Sequence, residues 1–195
     1  MTWFDHETGS VWSQVTGEAL LGPLKGTSVP LLPSELATWS DWREQFPETE
    51  ALATGTASNT FRVRNLAVVG QLNGETAGLK FVDLRERGSI STELGGEPVI
   101  FIGDQEIERW GVFSRLVDGE ERRLEVQGEF LVDTETGDRW SPLTGASFEG
   151  MPPLERVPTF SSNFANFVDI FPEGRVLVEP EFIRPIPRPV IPYIR

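Results

Sequence analysis

The chain contains no cysteine, a single histidine, a single tyrosine and two methionines. Without cysteine, disulfides, thiolate metal sites and thiol nucleophiles are all excluded for this polypeptide. A Ser-His-Asp apparatus would have to be built on His6, and no strand-turn-helix nucleophile pattern accompanies it. Basic residues are scarce as well: 17 Lys and Arg stand against 30 Asp and Glu, for a net charge of −13. Nucleic-acid binding needs clustered cations on phosphate, so that class is set aside, and docking on an anionic membrane with it. Acidic solubility is the simple account of the charge. Long hydrophobic runs are missing too. No stretch approaches the ~18 apolar residues that span a bilayer, and Met1-Thr2-Trp3-Phe4-Asp5 has neither the basic nor the apolar region of a signal peptide. Read as it stands, the chain is expected to be soluble and cytoplasmic, and exported if its N-terminus is truncated.

What is abundant is glycine (19) and proline (15) in 195 residues, above the roughly 12% of an ordinary chain. This composition, with 13 Phe and 6 Trp, suits a turn-rich, mainly β protein better than a helical bundle.

The chain also repeats itself. Asp5-His-Glu-Thr-Gly9-Ser-Val-Trp12-Ser13-Gln-Val-Thr16-Gly17, followed by Gly22, returns as Asp133-Thr-Glu-Thr-Gly137-Asp-Arg-Trp140-Ser141-Pro-Leu-Thr144-Gly145, followed by Gly150. Nine of the eighteen positions are identical at one constant offset, where chance gives about one. Such self-similarity is read before any local motif. After a shift of three residues, Pro33 matches Pro158, Trp39 matches Phe164, Trp42 matches Phe167, and Phe46-Pro47-Glu48 matches Phe171-Pro172-Glu173. An aromatic pair spaced i, i+3 before a Phe-Pro stop predicts a short amphipathic helix in each copy, pinning the strands before it. Thr38 and Ser162 are the expected N-caps, with Asp41 in the first turn of the first helix.

The second copy is preceded by about seventy residues of strand-like sequence, whereas the first begins almost at Met1. The expected architecture is therefore mainly β (α+β), with one and a half pseudo-repeats of a small β-rich unit, each closed by a short aromatic helix. Residues 1–52 form the incomplete first repeat, 53–60 a small, polar linker, 61–177 the complete second repeat and 178–195 a Pro-rich tail. Within the second repeat, Leu66-Ala-Val-Val69 predicts a strand and Asn73-Gly74 a tight hairpin turn. A helix is expected from Leu79 to Arg87 with Gly88 as its C-cap. Pro98 to Ile102 reads as a buried strand. Trp110–Val117 and Arg122–Gln127 read as a hairpin around Asp118-Gly119, in which Leu124 and Val126 alternate with Glu125 and Gln127. In the tail, Pro180, Pro185, Pro187, Pro189 and Pro192 are interspersed with apolar residues. They favour extended geometry, as an arm packed along its own domain, a loose terminus or a docking strand for a protein partner.

Phe4-Asp-His-Glu-Thr-Gly-Ser-Val-Trp12-Ser-Gln-Val-Thr-Gly17, then Gly22-Pro-Leu, Leu32-Pro33, Thr38-Trp-Ser-Asp-Trp-Arg43 and Phe46-Pro47 closely resemble the family called domain of unknown function 3179. Leu79-Lys-Phe-Val-Asp-Leu84, Leu94-Gly-Gly-Glu-Pro-Val99 and Thr136-Gly-Asp-Arg-Trp140 resemble its second half. The resemblance implies a protein of bacterial or archaeal type, often exported, with no settled activity. It also implies a Cys-Pro-Leu-Cys-Gly segment upstream of the first acidic box, and this chain begins downstream of that position.

The doubled acidic box is the best site candidate, through Asp5 and Glu7 in the first copy and Asp133, Glu135 and Asp138 in the second. Its likeness to a calcium loop is superficial: the ligands expected at positions five and twelve are missing, and Thr144 stands at the latter. A β-turn in which Asp accepts from the backbone ahead and Gly takes a positive φ is the simpler reading. Trp12 and Trp140 read as core residues, or as an aromatic ligand platform. Thr16-Gly17 and Thr144-Gly145 are turns rather than phosphate cradles. Glu106, Glu108 and Glu120 gain no acid-base role from sequence, and Gly70-x-x-x-Gly74 lacks the lysine of a phosphate loop. No catalytic residue, metal ligand or cofactor is assigned.

The expected function is a non-catalytic binding or structural module of this family. The alternative is a fragment of a redox or metal-handling protein whose Cys-containing half is absent, and a third reading is a degenerate reading frame without activity. An incomplete first repeat leads to a further expectation: it either packs against the second or keeps an exposed edge prone to self-association.

Overall fold

The computed structural model of the chain describes residues 2–34, 37–50, 65–103 and 109–178. In chain order the first repeat holds β1 (Thr2–Phe4), β2 (Val11–Ser13), β3 (Ala19–Leu21) and α1 (Trp39–Gln45). Then follow β4 (Leu66–Leu72), β5 (Glu75–Lys80), α2 (Phe81–Arg87), β6 (Ser89–Leu94), β7 (Glu97–Gly103) and β8 (Trp110–Ser114). The last third comprises β9 (Leu116–Val117), β10 (Glu120–Glu121), β11 (Leu124–Gln127), β12 (Phe130–Asp133), β13 (Arg139–Trp140), β14 (Thr159–Asn163), α3 (Phe164–Ile170) and β15 (Arg175–Val176). The protein is mainly β, as the composition and turn signals predict.

Three apolar layers organise the second repeat, and the strands between them are buried on both faces. The sheet β14-β4-β5-β15 carries α3 on one side, where Ala67 and Val69 meet Phe164 and Phe167. On its other side Leu66, Val68, Ala77 and Leu79 join Phe81, Leu84, Val99, Phe101 and Val112. The sheet β6-β7-β8 then turns Ile100, Ile102 and Phe113 toward a third cluster with Val117, Leu124, Leu131, Trp140 and Leu154. Successive residues of a strand point to opposite faces. A strand between two cores must therefore be apolar without interruption, which is why Leu66-Ala-Val-Val69 and Val99-Ile-Phe-Ile102 show no alternation. β11 borders only one core, and there Leu124 is buried while Glu125 and Gln127 are exposed.

The β4–β5 hairpin forms where Asn73-Gly74 predicts it, with φ of 49° and 83° at those residues, as a two-residue turn of the type I′ class requires. Three expectations need correction. α2 starts at Phe81 rather than Leu79, because Leu79 and Lys80 still pair with Val68 and Ala67 in the ladder. The Asp118-Gly119 turn joins only the short β9 and β10, and β11 pairs with β12 instead. The N-cap of α3 is Asn163, whose side chain accepts from Ala165 N–H at 3.0 Å, not Ser162, which pairs with Ala67 in β14. Thr38 caps α1 as expected, accepting from Asp41 N–H at 3.2 Å.

α1 and α3 occupy matched positions but not matched environments. Phe164 and Phe167 are buried, whereas α1 buries no residue. The expectation that each helix pins strands holds for α3 alone among the described residues. α3 packs on β4 and β5 as well as on β14, and the described residues of the first repeat include no counterpart of β4 and β5. The linker 53–60, the start of the second repeat and nearly all of the tail lie outside the described residues. Among the described residues no helix is long and apolar enough to cross a membrane.

Candidate functional site

The two acidic boxes fold into the same hairpin, with matching backbone bonds. In the first, Trp3 pairs with Trp12 and Phe4 with Val11; in the second, Leu131 pairs with Trp140 and Val132 with Arg139. Asp5 N–H donates to Ser10 O at 2.9 Å, and Asp133 N–H donates to Asp138 O at 2.9 Å. Gly9 and Gly137, at φ 71° and 81°, return to the carbonyls of Asp5 and Asp133, each at 2.8 Å. Glu7 N–H reaches Asp5 Oδ1 at 2.9 Å, and Glu135 N–H reaches Asp133 Oδ1 at 3.0 Å. The carboxylates of Asp5 and Asp133 thus accept from the chain two residues ahead and staple the turn.

Beyond that staple the boxes diverge. Thr8 Oγ1 donates to Asp5 Oδ2 at 2.5 Å, and with the Glu7 N–H bond this holds the Asp5 carboxyl below the usual carboxylate range. In the second box Thr136 Oγ1 donates instead to Asp138 Oδ2 at 2.7 Å. Asp133, almost wholly buried, has Arg122 Nη1 3.8 Å from its Oδ2. Arg122 also lies 3.3 Å from Glu120. The role of Arg122 is not legible in the repeat, because it sits on the connection before β11, outside the duplicated stretch. Glu135 pairs with Arg123 at 3.2 Å on the surface. Among the described residues no group of three or more His, Cys, Asp or Glu side chains is placed to hold a metal ion. Glu120 is exposed on β10, and Glu106 and Glu108 lie outside the described residues.

The two tryptophans separate more sharply. Trp140 is fully buried in the third core, and its indole N–H donates to Pro152 O at 3.0 Å. Trp12 is only half-buried. Around it, positions that form core in the second repeat are open in the first. Trp3 is 54% exposed where its counterpart Leu131 is 0%, and Val29 is 49% exposed where Leu154 is 3%. The opposite face differs in chemistry as well as in burial. In the second repeat Arg139 Nε binds Glu149 Oε1 at 2.7 Å and its N–H binds Glu149 Oε2 at 2.8 Å. These bonds lower the Glu149 pKa. In the first repeat the same two positions are Val11 and Leu21, paired across β2 and β3, with Leu21 59% exposed. The sheet β1-β2-β3 therefore presents apolar side chains on both faces. The signal was available in the sequence, in the differences between the copies rather than in their identities.

Residues 1–65 match the family model described as Protein of unknown function (DUF3179). Over that first third the chain resembles the family, in agreement with the residues of the first Trp-Ser box. No curated protein matches the chain, and no solved structure does.

Proposed function

We propose that the chain is a non-catalytic interaction module that binds protein through the sheet β1-β2-β3. The observation that carries this reading is the replacement of the Arg139–Glu149 ion pair by Val11 and Leu21 on an exposed sheet. A sheet with water on one face ordinarily puts polar residues there. Here Trp3 lies on the face whose counterpart is core, while Phe4, Val11 and Leu21 share the other. Large apolar surface concentrated on one element of an otherwise acidic protein marks a binding surface.

The Asp5 and Asp133 turns support a structural task for the acidic boxes, since their carboxylates are engaged by the turns they close. The test restores the second repeat's chemistry in the first. The double variant Val11→Arg, Leu21→Glu is expected to keep the wild-type circular dichroism and to lower the fluorescence of a bound apolar dye several-fold. An unchanged dye signal would show that the sheet offers no open apolar surface, and the interaction-module reading would fall.

A further inference from the structure

We infer that residues 179–184, Glu-Pro-Glu-Phe-Ile-Arg, are a docking arm of this chain, seated beside the last turn of α2 with Glu179 and Glu181 on Arg85 and Arg87. The inference does not depend on the sheet β1-β2-β3. It starts from the course of the last described residues. β15 pairs in parallel with β5, Arg175 opposite Ala77 and Val176 opposite Gly78, and Leu177 N–H donates to Gly78 O at 3.0 Å. The end of β6 lies at the start of β5, where Gly95 N–H donates to Glu75 Oε2 at 2.8 Å. β6 therefore runs against β5, and against β15 as well. Arg175 sets the position of the chain along β6: its guanidinium donates to Thr92 Oγ1 at 3.2 Å and to Glu93 O. Each step forward from Arg175 is a step back along β6, so Val178 comes level with Ile90. Both pack on the margin of the core between the two sheets, with Leu72 and Leu177, and all four are only partly buried. A further ~10 Å of extended chain, the reach of the next three residues, brings Glu181 level with Arg87.

The sequence of the arm fits that seat. Pro180 holds Glu179 away from helical geometry. In an extended chain Val178, Pro180 and Phe182 share one side, and Glu179 and Glu181 share the other. Phe182 continues the apolar side of Val178 and reaches Val82, which is half-buried on α2 and belongs to none of the three apolar clusters. Val82 and Arg85 lie one turn apart on the same helix face. The carboxylates, on the other side, meet cations that lack them. Most of the described arginines sit on a carboxylate or an aromatic ring. Arg85 and Arg87, in the last turn of α2, have no ion pair among the described residues. An exposed ion pair stabilises little by itself, so the arm is held by the apolar contact and the charges together.

Paramagnetic broadening in NMR spectra of the full chain tests the arm. With no native cysteine, Arg184→Cys carries a single nitroxide at the end of the segment and leaves the proposed contacts intact. The amide signals of Arg85 to Ser89 should lose most of their intensity, while those of the turn 133–138, across the third cluster, should keep theirs. Reversing both cations, Arg85→Glu with Arg87→Glu, should restore the α2 signals. Adding Glu179→Arg with Glu181→Arg should quench them again. Equal, weak losses at α2 and at the turn would mean a loose terminus, and the inference would fall. Losses at α2 that survive the reversal of both cations would overturn the pairing with Arg85 and Arg87. Isotope-labelled chain without nitroxide, mixed with nitroxide-bearing chain, should show no loss at α2. A loss there would place the arm on a second copy and overturn its seat on its own chain.

Discussion

Ser34 and Thr159 hold equivalent positions in the two repeats, 125 residues apart, and they hydrogen-bond to each other. Ser34 N–H donates to Thr159 Oγ1 at 3.0 Å and Ser34 Oγ donates to Thr159 O at 2.8 Å. Thr159 Oγ1 in turn donates to Ser34 O. Equivalent residues that exchange bonds imply a local two-fold relation between the repeats where they meet. The first repeat thus meets the second at β14, the edge of the four-stranded sheet.

Removing that exchange should loosen one repeat from the other. Thr159 is almost wholly buried, so Thr159→Val leaves the Ser34 amide without its acceptor and should cost about 1–3 kcal/mol. Urea unfolding measures the loss. Limited proteolysis should show faster cleavage within residues 37–50 than within the second repeat. Equal rates in variant and wild type would mean that the contact does not hold the repeats together.

The paired tryptophans are expected to respond unequally to the same change. Trp140→Ala removes a fully buried side chain and an indole bond to Pro152 O, a loss of about 3–5 kcal/mol. Trp12→Ala, at a half-buried position, should cost no more than about 2 kcal/mol by the area it removes from solvent. Chemical denaturation at low protein concentration separates the two. Equal costs would show that something covers Trp12 in solution.

The Asp5 carboxyl, held down chiefly by the Thr8 hydroxyl and then by the Glu7 N–H, titrates below the ordinary aspartate value of 3.8. A folded-state pKa below the unfolded one gives stability that is present at neutral pH. That stability is lost as pH falls through the unfolded and then the folded pKa. Carbon-detected NMR of the Asp5 carboxyl should show the depressed midpoint, and Thr8→Val should move it upward. A wild-type midpoint at or above 3.8 would contradict the Thr8 bond.

Local structure in this protein was legible wherever one short stretch carries the whole reason. The Asn73-Gly74 hairpin, the Gly88 C-cap with φ of 76° and the repeated Asp-to-Gly turns follow from backbone preferences of residues at fixed spacing. Boundaries failed where a neighbour from far away decided them. Leu79 has a helical apolar pattern, yet its pairing with Val68 keeps it in β5. Ser162 is a sound capping residue, yet its pairing with Ala67 moves the cap one position on to Asn163. Of the candidate site, the identity of the two boxes was visible at once. The Arg122 beside Asp133 was not, because it comes from a connection that the repeat does not share.

The sequence alone determined the mainly β class, the duplicated hairpin, the bond pattern of its turns and the absence of thiols from this polypeptide. Each depends on composition or on residues a few positions apart, which act through local geometry. Only the tertiary structure decided that Trp140 is core while Trp12 is half open, and that β12 is central while β1 is an edge. The residues that the two boxes share cannot distinguish those fates. Burial and pairing depend on what lies against a strand, and the cover over Trp140 comes from β7, β8 and β11, of which the described residues of the first repeat show no counterpart.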